Sequence, residues 1–81
     1  MKRREAIFNR IKSEYNRKGQ TAEPVFDTMM SASKVLSLFK ITNEDGVCYA
    51  VHENSDALEA FETRQEADAF TKEWFNTSFN L

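Results

Sequence analysis

The fold of this chain is decided by the stretch KVLSLFKITNEDGVCYAVHE, residues 34–53. Two runs rich in β-branched and aromatic residues flank the segment Asn43–Gly46, whose composition is typical of a tight turn. Val35, Phe39 and Ile41 would share one face of the first strand, because side chains alternate along a strand. The stretch therefore predicts a β-hairpin over residues 34–53.

The register of this hairpin is predicted from the positions of its apolar residues. A three-residue loop would place Gly46 in the left-handed bulge position and would pair Phe39 with Val51. This register puts the apolar residues of both strands on one side of the sheet. A loop one residue longer or shorter would separate them, so we expect a sheet with a single apolar face.

A helix is predicted on the N-terminal side of the hairpin, over residues 2–18. Ile7, Phe8, Ile11 and Tyr15 recur at three- and four-residue spacing and form one apolar stripe. Gly19 follows at the position where a helix end favours a left-handed residue.

A second helix is predicted from about Thr63 to Asn76, where Ala67, Phe70 and Trp74 form an apolar stripe and Thr63 can act as the N-cap. A short third strand at about residues 57–62 precedes it. One long helix starting at Asp56 remains an alternative for residues 56–62.

Residues 20–33 are open to two interpretations. Pro24 could begin a short helix, or Val25 and Phe26 could belong to an extended segment; a short helical turn is favoured. The whole chain, residues 1–81, is then one small α+β domain. It has an N-terminal helix, a three-stranded antiparallel sheet and a C-terminal helix, with the helices on one face of the sheet.

Charge is divided unevenly along the chain, although the net charge is only −2. Residues 1–18 hold seven Lys and Arg against two Glu, whereas residues 43–81 hold nine acids against two bases. The single cysteine, Cys48, excludes an internal disulfide and favours a reducing cytoplasm over secretion. No apolar run is long enough to cross a membrane.

Residues for catalysis, metal binding or cofactor binding form no recognisable motif. Cys48 and His52, the one thiol and the one imidazole, lie roughly 13 Å apart on an extended strand, too far for a nucleophile and its base. They are too few for a zinc site. We expect a small buried thiol, an edge-facing histidine, no cofactor and no enzymatic activity.

The acidic half of the chain is the leading candidate for a binding surface. A surface of this sign suits a protein partner that is basic, because charge complementarity steers association. We expect Phe75 or Phe79 to serve as an aromatic anchor. We call the following six residues the acidic surface: Glu53, Asp56, Glu59, Glu62, Glu66 and Asp68.

This organisation resembles that of phage or mobile-element proteins that block host machinery, anti-CRISPR proteins among them. The resemblance lies in the architecture of a very small single-cysteine α+β domain with an acidic half and carries over no individual residue. It implies a non-enzymatic inhibitor or modulator of a larger macromolecular machine.

Two other functions remain open. The basic helix could bind nucleic acid through phosphate contacts made by Arg3, Arg10, Arg17 and Lys18. Alternatively, an unpaired edge strand would allow the chain to form a homodimer as an accessory subunit.

Overall fold

Two helices and four strands form the described part of the molecule. The computed structural model describes the backbone of residues 3–31 and 34–79 and the side chains of residues 5–25 and 34–74. The elements in chain order are α1 (Arg3–Arg17), β1 (Thr21–Ser31), β2 (Lys34–Asn43), β3 (Gly46–Glu53), β4 (Asp56–Phe61) and α2 (Arg64–Phe79). The strands follow the order β1-β2-β3-β4 in one sheet, each antiparallel to its neighbours.

The α+β class, the hairpin, the short strand before the last helix and both helices are confirmed. The prediction of a three-stranded sheet is wrong, because the stretch predicted as a helical turn forms a fourth strand, β1, which pairs with β2. Pro24 is compatible with this strand because β1 lies at the edge of the sheet. An edge strand tolerates proline, since the backbone on its open side has no neighbouring strand with which to hydrogen-bond. Val25 supplies an apolar side chain to one of the two core clusters.

The register predicted for the hairpin is also wrong. Asn43 pairs with Gly46 across a two-residue turn, and Phe39 pairs with Ala50 instead of Val51. The backbone N–H of Asp45 donates to Asn43 Oδ1 at 2.8 Å, and Gly46 has a φ of 136°, which side chains disfavour. Phe39 and Val51 therefore lie on opposite faces of the sheet.

Opposite faces of the sheet are covered by different helices, which explains the register and corrects the expectation of a single covered face. On one face, Ile11 of α1 packs into a cluster with Phe39 and Ile41. On the other, Ala67 of α2 packs with Leu36 and Leu38. Both faces of β2 are buried, so apolar residues are needed at consecutive positions. The strand therefore carries no simple apolar–polar alternation.

The ends of both helices follow local sequence chemistry. Gly19 ends α1 with a φ of 77°, and the N–H of Gln20 donates to the carbonyl of Tyr15 at 3.0 Å. At the start of α2, the N–H of Glu66 donates to Thr63 Oγ1 at 3.2 Å, and Thr63 Oγ1 donates to Glu66 Oε1 at 3.0 Å. The predicted caps at Gly19 and Thr63 are thereby confirmed.

Candidate functional site

The acidic surface runs from the end of β3 through β4 to the first turns of α2. β4 is an edge strand of the sheet, and its residues Asp56 and Glu59 are exposed. Glu62, Glu66 and Asp68 are exposed as well, whereas Glu53 is half-buried. The acidic surface thus combines residues of the last β-hairpin with residues at the start of the helix that follows it.

A β-bulge at Leu58 brings the acids of β4 to one face. Glu59 pairs with Val51, and Asp56 pairs with Glu53, so that Leu58 is the extra residue of β4. Val51 and Glu53 are two residues apart and share a face of β3, and their Cα partners lie on the same face. Without the bulge, Asp56 and Glu59 would point to opposite sides. The bulge therefore collects three acids on the face that α2 covers.

This face holds like charges close together. Glu53 and Asp56 are direct Cα partners on neighbouring strands. Like charges directly opposite each other on neighbouring strands are unfavourable. The strands thus carry a local cost that a cation would relieve.

Two members of the acidic surface have a second role in α2. The Glu66 carboxylate belongs to the helix cap described above. Asp68 Oδ2 lies 3.7 Å from Nε of Arg64, one turn earlier on the same helix. Glu53, Asp56, Glu59 and Glu62 remain as the members for which no ion pair is formed among the described side chains.

The basic helix shows a different arrangement. Glu14 lies between two arginines, with Oε1 at 4.0 Å from Arg10 Nε and 3.5 Å from an amino nitrogen of Arg17. Lys18 Nζ lies 5.6 Å from the centre of the Tyr15 ring. The side chain of Arg3 falls outside the described residues. The ion pairs between described side chains all join residues of the same helix, so the basic and acidic halves do not neutralise each other there.

A buried polar cluster lies beneath α1, and sequence reasoning missed it. It consists of Tyr15 from α1, Ser37 from β2 and His52 from β3, and we call it the Tyr–His–Ser cluster. The Tyr15 hydroxyl lies 3.3 Å from His52 Nε2, and Ser37 is the Cα partner of His52. Ser37 and His52 are each only 1% exposed. The expectation of an edge-facing histidine is therefore wrong.

The surroundings keep this cluster uncharged. Burial lowers the pKa of His52 below its ordinary value of 6.5, and a polar contact with the backbone of Ala50 opposes this only in part. Burial also raises the pKa of Tyr15, and the negative charge of Cys48 in its thiolate form adds to the rise. Among the described residues, His52 Nδ1 and Ser37 Oγ have no hydrogen-bond partner, so the Ala50 contact falls short of a hydrogen bond.

Cys48 and His52 share the face of β3 that α1 covers, as the strand assignment requires. Cys48 is half-buried. In the described part of the chain, no three His, Cys, Asp or Glu side chains come together to hold a metal ion. No helix there is both long enough and apolar enough to span a bilayer.

Comparison with known proteins returned no matching family model, no matching curated protein and no matching solved structure.

Proposed function

We propose that this chain is a non-enzymatic protein-binding module whose acidic surface contacts a basic surface on a larger macromolecular machine and modulates or inhibits it. The observation that supports this proposal is that the negative charge of the acidic surface is exposed to solvent. Five of the six residues of the acidic surface are exposed, and the ion pairs of the described side chains do not join the acidic half to the basic helix.

The arrangement of the strand acids adds a second argument. The bulge at Leu58 places Asp56 directly opposite Glu53, where like charges are unfavourable, and places Glu59 on the same face of the sheet. A Lys or Arg side chain from a partner would remove this repulsion on binding. Rim charges of this kind act mainly on the association rate and on its salt dependence.

Inhibition of the phage or mobile-element type stays a prediction within this proposal. The suggested aromatic anchors, Phe75 and Phe79, have side chains outside the described residues. The proposal therefore depends on the charged residues alone. A homodimer also stays a prediction, and a mass measurement in solution tests it.

Nucleic-acid binding by the basic helix is supported less well. Glu14 takes up part of the charge of Arg10 and Arg17, which reduces the density of free cations along α1. Retention on DNA or RNA at ~50 mM salt that falls steeply as salt rises would favour this alternative. A lack of retention at that salt concentration would remove it.

The test of the proposal is affinity capture from a lysate of the source organism with two matched double variants. Glu59→Lys/Glu62→Lys reverses two exposed acids of the acidic surface. Glu23→Lys/Glu44→Lys reverses two exposed glutamates elsewhere and changes the net charge equally. Glu66 is left intact because its replacement would also damage the cap of α2.

We expect the wild type and the Glu23/Glu44 variant to capture the same partner, and the Glu59/Glu62 variant to lose it while keeping its circular dichroism spectrum and melting temperature. Equal capture by all three proteins would refute the proposal. Equal loss of capture in both variants would show that only the net charge matters, and this result would also refute the proposal.

A further inference from the structure

The Tyr–His–Ser cluster joins α1 to the two central strands of the sheet. Tyr15 reaches from α1 to His52 on β3, and the two rings meet edge to face with centroids 5.8 Å apart. His52 also packs against Phe39 of β2, with ring centroids 5.5 Å apart. The imidazole therefore lies at the point where α1 meets the sheet.

Only a neutral imidazole suits this position. The Tyr15 hydroxyl gives Nε2 one partner, while Nδ1 has none among the described residues. An imidazolium would carry two N–H donors and a charge in a site that is 1% exposed. A buried polar group without a partner costs about 1–3 kcal/mol, and a charged one costs more.

The groups that face His52 from the surrounding elements offer no described carboxylate. α1 contributes Tyr15, and Lys18 adds a positive charge near the Tyr15 ring. β2 contributes the hydroxyl of Ser37, and β4 contributes the alanine Ala57 as the Cα partner of His52. On β3 itself, Cys48 belongs to the same apolar cluster.

One acid lies further along the same cross-strand row. Asp27 of β1 is the Cα partner of Ser37, and its side chain is outside the described residues.

We propose that the Tyr–His–Ser cluster is a pH-sensitive latch, which holds α1 against the sheet while His52 is neutral and releases α1 when the imidazole is protonated. Histidine is the side chain whose protonation commonly drives such changes in mildly acidic solution. Release transfers His52 to water, where the imidazolium is hydrated.

Release of α1 is separable from unfolding of the rest because the sheet divides the core into two clusters. α1 packs on one face with Phe39 and Ile41, whereas α2 packs on the other face with Leu38 and Val51. Trp74, the single tryptophan of the chain, belongs to the α2 cluster. Its fluorescence therefore reports on the face that the latch does not touch.

The direction of the pH effect follows from linkage. The closed state holds His52 neutral, so as the pH falls through 6.5 the released state binds up to one more proton than the closed state. The equilibrium constant for release then rises up to tenfold for each unit that the pH falls, until His52 is protonated in the closed state as well. Tyr15 sets a second limit at high pH. Above pH 10.0 the released state loses its phenolic proton more readily than the closed state, so release also becomes more favourable as the pH rises. The latch is closed between these limits.

Hydrogen exchange of the full chain between pH 5 and pH 8, corrected for the intrinsic exchange rates, measures this release. We expect protection of the α1 amides to fall up to tenfold for each pH unit below 6.5 while the amides of β2, β3 and α2 keep theirs. Trp74 fluorescence is expected to stay constant. Simultaneous loss of protection in all elements, or no loss in α1, would overturn the proposal.

Two variants assign the effect to the cluster. His52→Phe keeps an aromatic ring in the site and cannot be protonated, so the pH dependence of α1 exchange should disappear. Tyr15→Phe keeps the ring and removes the hydroxyl, so α1 should be less protected at pH 7.5 and should still respond to pH through His52. Unchanged pH dependence in His52→Phe would overturn the proposal.

A nuclear magnetic resonance titration of His52 in the wild type provides a measurement that needs no variant. The latch requires the imidazole to titrate below 6.5. Titration at or above 6.5 would overturn the proposal, even if His52→Phe failed to fold.

Discussion

Replacement of Leu38 by alanine tests whether both faces of the sheet are buried. Leu38 lies in the α2 cluster and is 0% exposed, while its neighbour Phe39 lies in the α1 cluster and is also 0% exposed. A sheet with one apolar face would bury Phe39 and leave Leu38 in solvent. The two arrangements therefore predict different costs for the same substitution.

The expected cost follows from full burial. Leu→Ala at a closed core site costs about 2–5 kcal/mol, the sum of lost transfer energy and the cavity left behind. For a chain of 81 residues the total stability is roughly 4–12 kcal/mol, so this one substitution removes a large share of it. In solvent the same substitution would change stability by about 0.5 kcal/mol or less.

Urea unfolding followed by Trp74 fluorescence measures the difference. With a slope of roughly 1 kcal/mol per molar urea, a loss of about 3 kcal/mol lowers the midpoint of unfolding by about 3 M. Leu58→Ala is the matched control, because Leu58 is 38% exposed on the edge strand. It should cost about 1 kcal/mol or less. Similar costs at Leu38 and Leu58 would refute the two-faced sheet.

Two further substitutions test local contacts. Thr63→Ala removes the cap of α2 and should cost about 1 kcal/mol, whereas Thr63→Ser should keep most of the stability; equal losses would contradict the cap. Asn54→Ala removes the Oδ1 atom that accepts the N–H of buried Val35 at 3.0 Å and places alanine at a φ of 55°. It should cost about 1–3 kcal/mol in the same unfolding assay, and a loss below about 0.5 kcal/mol would show that this contact does not fasten β2.

Features controlled by local chemistry were predictable from the sequence. Gly19 ends α1 because a left-handed residue is needed there, and Thr63 begins α2 because its hydroxyl caps the helix. The strand at Asp56–Phe61 was predictable because the apolar stripe of α2 does not extend back through it.

Features controlled by tertiary contacts were not predictable in the same way. Phe39 pairs with Ala50 because each face of the sheet receives its own helix. The signal within residues 34–53 was the run from Val35 to Phe39, which places apolar residues on both faces of β2. β1 forms because β2 supplies a pairing partner, although Pro24 favoured the start of a short helix. Pairing with β2 thus outweighed the local conformational preference of residues 20–33.

The candidate site also has features that the sequence shows and features that depend on tertiary contacts. The excess of acids in the second half is visible in the sequence, but their placement on one face depends on the bulge at Leu58, which has no sequence signal of its own. The Tyr–His–Ser cluster joins residues 37 positions apart, Tyr15 and His52. The signal that could have revealed it was the spacing of His52, two residues from Ala50 and four from Cys48, which places the three side chains on one face of β3.

The central claim is that the exposed residues of the acidic surface form the contact with a basic partner. Once the captured partner is identified, its dissociation constant for the wild type, Glu59→Lys/Glu62→Lys and Glu23→Lys/Glu44→Lys at one salt concentration tests this claim most directly. The claim predicts at least a tenfold weaker affinity for the Glu59/Glu62 variant, about 1.4 kcal/mol, and no more than a twofold change for the Glu23/Glu44 variant. Equal affinities for the wild type and the Glu59/Glu62 variant, or equal losses in the two variants, would contradict it.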